Sequence, residues 1–147
     1  MSTIDNLINI YVSDIKQQEI LKIFINNCIN NLFNDKIIIL YGKEATGKTT
    51  FITKLLEYFT ELKIKTNIIS PIIKDNYVLY QNNNFRFEKD AKLLYGKELN
   101  IDNIEYINHI SNLMNNGFNI MLEATNINQN ILNTVNHNII IFDKKFP

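Results

Sequence analysis

The stretch Ile37–Phe51, IIILYGKEATGKTTF, joins three patterns that constrain one another. Ile37–Tyr41 is a continuous apolar run between polar neighbours, the signature of a short strand buried on both faces. Gly42 ends the run. From Thr49 to Leu62 the apolar residues Phe51, Ile52, Leu55, Leu56 and Phe59 recur at the spacing of a helix with one covered side. A buried strand, a glycine-bounded loop and a helix in direct succession belong to a sheet whose strands are joined by helical crossovers.

The rest of the chain continues that alternation. Ile15–Leu32 predicts a helix, with Ser13 or Asp14 as its cap and an apolar side formed by Ile20, Leu21, Phe24, Ile25, Cys28, Ile29 and Leu32. Thr66–Ser70, Phe118–Leu122 and Asn138–Phe142 read as further strands, the first stopped by Pro71. Ile101–Asn115 predicts a helix with Ile104, Ile107, Ile110, Ser111 and Met114 along one face and Gly117 as its stop. In Pro71–Phe87 only Tyr77–Tyr80 suggests a strand, followed by a turn at the Asn-rich QNNN. The expectation is an α/β fold: a three-layer domain with a mainly parallel sheet, preceded by an N-terminal helix. Residues 1–36 are expected to form a helical segment packed on a P-loop core spanning 37–147.

At 147 residues the chain suits one hydrophobic core. Fifteen basic residues balance fifteen acidic ones, and arginine occurs once, at Arg86, so no strong basic footprint for nucleic acid exists. Ile and Asn make up over a third of the residues, a bias that fits an AT-rich genome and carries no mechanism. The lone Cys28 excludes an internal disulfide framework or a cysteine-rich zinc site. The opening MSTIDNLINIYVSD has no basic region before an apolar core, and no apolar run approaches the roughly 20 residues of a membrane span. An intracellular protein without a membrane partner is expected, cytoplasmic, or nuclear in a host cell if its origin is viral.

Gly42-Lys43-Glu44-Ala45-Thr46-Gly47-Lys48-Thr49 satisfies G-x-x-x-x-G-K-[ST] at each fixed position, with the required strand before it and helix after it. Glycines let backbone N–H groups turn inward, and the following helix adds partial positive charge. The loop with Thr50 is therefore expected to bind ATP with Mg²⁺. Lys48 would bridge the β- and γ-phosphates, and Thr49 would give its hydroxyl to the metal. Lys43 and Glu44, at variable positions, read as solvated charges.

Such a site needs a carboxylate at a neighbouring strand end, and two are available. The first is Glu98, after KLLYGKEL. With it, YGKEATGKTT, NNNFRFEKDAKLLYGKELN, IEYINHISNLMNNG, FNIMLEATNIN and NIIIFDKKF together resemble the core of the superfamily 3 helicases of small DNA viruses, most nearly the parvovirus and densovirus replication proteins. That resemblance implies a replicative helicase-like ATPase acting on single-stranded nucleic acid as a homo-oligomeric ring. It makes Glu98 the Walker B acid and Asn126 the polar group that orients the attacking water. The family's basic hairpin and arginine finger have no counterpart here, since no arginine follows Asn126.

The second is Glu123, after FNIML. LMNNGFNIMLEATN resembles the G-x-x-apolar-(D/E)-x-T-N signature of small P-loop kinases, such as polynucleotide kinases and zeta-toxin-like kinases. This implies transfer of the γ-phosphate to a nucleotide, a nucleic-acid end or a small molecule, with Glu123 as acid and metal ligand and Asp90 near the base position. A third class, a nucleotide-binding remnant without chemistry, stays open beside these two. His109 and His137 have no partners at metal-ligand spacing, and Cys28, Tyr41, Phe51 and Phe59 read as core.

Overall fold

The computed structural model describes residues 3–64, 66–68, 72–74, 77–79, 92–96 and 104–144. Two helices, α1 (Thr3–Tyr11) and α2 (Ile15–Ile29), precede the strand β1 (Ile37–Tyr41), and α3 (Lys48–Glu61) follows it. The chain continues through β2 (Thr66–Ile68), β3 (Ile72–Lys74), β4 (Tyr77–Leu79) and β5 (Leu93–Gly96). It ends with α4 (Ile104–Asn115), β6 (Ile120–Ala124), the one-turn α5 (Gln129–Leu132) and β7 (His137–Ile141). Five strands lie parallel in the order β2–β5–β6–β1–β7, while β3 and β4 form a separate antiparallel pair. No described helix is long and apolar enough to cross a membrane.

Strand alternation builds three layers, because successive side chains leave opposite faces of a sheet. Ile38, Leu40, Leu93, Met121, Ile140 and Phe142 meet α1, α2 and α3 on one face. Ile37, Ile39, Leu94, Ile120, Leu122 and Ala124 meet α4 and α5 on the other. β1 lies between β6 and β7, so its first four residues are buried, as the continuous apolar run predicts.

The helices follow their sequence signals with adjustments. Asp14 caps α2, its carboxylate accepting from the Gln17 N–H at 2.9 Å. Gln17 Oε1 accepts from the N–H of Ile141 at 2.7 Å, so α2 satisfies a donor on the outer edge of β7. α1 stands apart from α2 as its own helix, burying Ile4, Leu7, Ile8 and Tyr11 at the i, i+3, i+4, i+7 spacing. In α4 the buried side is Ile107, Ile110, Leu113 and Met114, whereas Ile104 is exposed. Burial holds the His109 imidazole of that helix below its ordinary pKa, so it is neutral at pH 7.

β6 begins two residues later than the apolar run starting at Phe118 suggests, because Phe118 and Asn119 belong to the turn that ends α4. Gly117 takes φ +92°, and the Phe118 N–H donates to Leu113 O. Asn119 Oδ1 accepts from the Asn34 N–H at 2.8 Å, and its Nδ2 donates to Leu32 O at 3.1 Å. Asn34 in turn donates to Phe24 O and accepts from Asn27. This buried amide cluster ties the α2–β1 and α4–β6 connections together at the amino ends of the strands. The later start also puts Glu123 inside the strand rather than after it. His137, one residue before the strand the sequence suggests at Asn138–Phe142, is the first residue of β7.

Candidate functional site

The loop between β1 and α3 is shaped by two left-handed residues, Ala45 at φ +62° and Gly47 at φ +89°. Gly47 sits at the cap of α3 and contributes no side-chain hydrogen bond, so the helix's first-turn N–H groups face the loop's concavity. Thr46 Oγ1 donates to Lys43 O at 2.7 Å and holds the loop in its curve. Lys43, Glu44, Ala45, Thr49 and Thr50 are exposed, while Thr46 and Lys48 are buried. A cavity of about 450 Å³ opens along residues 43–50 and reaches Thr125.

Lys48 folds back across the loop. Its ammonium donates to Gly42 O and, at 2.9 Å, to Lys43 O. These carbonyls keep the cation at the loop's centre, where an anion held by the amides would meet it. Gly42 occupies a backbone crossing: a Cβ there would lie 2.3 Å from Phe142 O and 2.9 Å from Thr46 Oγ1.

β6 brings the acid. Glu123 pairs with Leu40 of β1, is 1% exposed, and its Oε1 accepts from the Thr49 hydroxyl at 2.7 Å. The parallel sheet therefore unites two groups 74 positions apart in sequence. A hydroxyl and a carboxylate in contact offer the hard oxygen donors that Mg²⁺ takes, alongside phosphate oxygens and water. No described cluster of three or more His, Cys, Asp or Glu forms a protein cage for a metal. That donor set fits a magnesium ion arriving with its triphosphate.

The other sequence candidates are distributed differently. Asn126 is exposed just past the end of β6. Glu98, Asp90 and Arg86 lie outside the described residues. Thr125, the threonine of the small-kinase signature, to which the sequence assigned no role, lines the loop's cavity.

No protein-family model matches the chain, and no curated protein matches it. Solved structures do. The Pif1 helicase from Candida albicans aligns with a TM-score of 0.55 at 7% identity, over 92% of this chain and 40% of the helicase chain. The RuvB Holliday junction branch migration motor of Thermotoga maritima aligns with a TM-score of 0.51 at 16% identity, over 92% of this chain and 46% of that one. This is the P-loop NTPase fold. The chain spans less than half the length of either P-loop protein. At these identities the likeness is one of fold.

Proposed function

We propose that the chain binds Mg²⁺·ATP at residues 42–50 and hydrolyses its γ-phosphate as a helicase-like ATPase. The observation that carries the reading is the Thr49–Glu123 contact, a P-loop hydroxyl against a buried carboxylate on the strand beside β1. The loop amides and the α3 N-terminus bind the phosphates, and Lys48 leaves the Gly42 and Lys43 carbonyls to neutralise the charge growing on them. Thr49 and Glu123 would hold the metal, which would supply Lewis-acid stabilisation of the phosphate charge. Glu98, following β5, serves the attacking water, which Asn126 orients. A partner in single-stranded nucleic acid and a homo-oligomeric working form belong to this reading, and the fold likeness to a helicase and a branch migration motor fits a nucleic-acid partner. In this reading the chain is a reduced relative of the viral superfamily 3 helicases, with residues 1–36 as a helical adjunct to the 37–147 core.

The position of Glu123 also favours a second reading. An acid directly beside the loop threonine, followed by Ala124-Thr125-Asn126, is where the small-kinase signature puts it. There the γ-phosphate goes to an acceptor hydroxyl instead of water.

Incubation with γ-labelled ATP and Mg²⁺, with and without a single-stranded oligonucleotide, separates the two. Free labelled phosphate stimulated by the strand, and abolished in Lys48→Ala, is the expected result. Label on the oligonucleotide would replace the hydrolase with the kinase. Bound ATP that is never cleaved would leave a nucleotide-binding module.

A further inference from the structure

The phosphate loop has two ends, and each is tied to a phenylalanine. At the first end Gly42 lies against the turn out of β7. A Cβ there would stand 2.3 Å from Phe142 O, and the Phe142 N–H donates to Tyr41 O at 2.8 Å. At the last end Phe51 shares the first turn of α3 with Lys48 and Thr49, and its N–H donates to Gly47 O at 2.8 Å. The two phenyl rings meet edge to face with centroids 5.5 Å apart, and that contact sets the span between the loop's ends.

Tyr11, the last residue of α1, closes a triangle of rings. It stands edge-on to Phe51 at 6.0 Å and stacked on Phe142 at 6.1 Å, separations at which aromatic pairs attract. All three side chains are buried. The backbone holds Tyr11 in place as well. Lys144 donates to Asn9 O and Ile10 O, and Ser13 Oγ to Asp143 Oδ1, which joins the end of α1 to the residues just past Phe142. A close-packed interior leaves such rings no slack, so a shift in one passes to the others.

We propose that Tyr11 is a positioning residue for the nucleotide. From α1, outside the loop and its flanking strand and helix, it fixes the distance between Gly42 and the first turn of α3, and with it the aim of the loop amides and Lys48. The inference rests on the nucleotide site proposed above. An anion shared among several amides needs all of them in place at once, so a loop whose ends drift loses affinity with every residue still present. The coupling is reciprocal: phosphates that tighten the loop also tighten α1 behind the triangle.

The test is affinity for Mg²⁺ with a fluorescent ATP analogue blocked at the β–γ bridge, titrated on variants shown by circular dichroism to be folded. Tyr11→Leu keeps an apolar side chain and loses the ring; binding should weaken about tenfold. Tyr11→Phe keeps the ring and should bind within about twofold of wild type. Phe59→Leu removes a ring from the same core about two turns further along α3. Its stability should fall while its affinity stays within about twofold. The wild-type chain supplies a readout independent of any variant's folding. On saturation with the analogue, hydrogen exchange should slow more at the Val12 N–H, which closes α1 onto Ile8 O at 2.9 Å, than at Ile110 of α4 beneath the other face of the sheet. Unchanged affinity in Tyr11→Leu, an equal loss in Tyr11→Phe or Phe59→Leu, or exchange slowed no more in α1 than in α4 would each overturn the assignment while the nucleotide site stands. Failure of the wild-type chain to bind the analogue would instead remove the site and the assignment together.

Discussion

Gly42 does not adopt the left-handed backbone that explains Gly47 and Gly117. Its constraint comes from its neighbours. Its N–H donates to Ala124 O at 3.2 Å, while Phe142 turns from β7 to donate to Tyr41 O at 2.8 Å. The loop thus leaves β1 pressed between the ends of two strands, and the Phe142 carbonyl fills the space a methyl would need. Gly42→Ala should cost about 1–3 kcal/mol by overpacking, read as a lower urea midpoint, and should weaken ATP binding by distorting the loop at its first residue. Gly117→Ala is the contrast, since nothing lies within 4 Å of its Cβ position. Only the φ of +92° opposes it, so stability should fall with ATP affinity unchanged.

Among the elements, those with a continuous or strictly periodic apolar pattern were legible in the sequence. β1 and α3 lie where their patterns lie, and the motif between them gave every loop residue. The departures share a cause: a side chain with a tertiary task breaks the local pattern. Phe118 looks like the start of a strand but closes α4, and Asn119 spends its amide on Asn34 and Leu32. α5 is a single turn capped by Asn128 in an Asn-rich stretch that reads as loop. The sequence offered Glu98 and Glu123 as alternatives for the acid, and only the register of β6 on β1 brings Glu123 against Thr49. Asn119→Ala tests the amide cluster at the element scale. It strands the Asn34 N–H and the Leu32 carbonyl, so about 1–3 kcal/mol should be lost. The denaturation midpoint should drop at constant slope, with ATP affinity intact because the cluster is at the other end of the sheet.

For the molecule as a whole, the α1–α3 side holds the larger aromatic investment. Tyr11, Phe51 and Phe142 meet with ring centroids 5.5 to 6.1 Å apart, and Lys54 lies over the Tyr11 ring. Lys144 donates to the Asn9 and Ile10 carbonyls and Ser13 to Asp143, binding the segment after β7 to the α1–α2 corner. Cys28 is buried in this core, and burial pushes its thiol from 9.0 up to about 12, against the smaller opposing pull of the Asn119 amide. The folded chain keeps this proton longer than the unfolded chain does. Stability is therefore unaffected by Cys28 below the unfolded value and falls as pH rises from 9.0 towards about 12. Urea titrations across that window should show wild type losing its advantage over Cys28→Ala, which has no thiol to ionise. The sheet order has a further consequence, for the chain as it is made. Both neighbours of β1 come from the final quarter of the sequence. A ribosome adding roughly 5–20 residues per second delivers Ile37–Tyr41 seconds before either partner strand exists. Until then the most apolar strand of the nascent protein is unpaired, a target for chaperones, and the loop behind it has neither Glu123 nor the Phe142 carbonyl. The nucleotide site proposed above is therefore incomplete until β6 and β7 have been made.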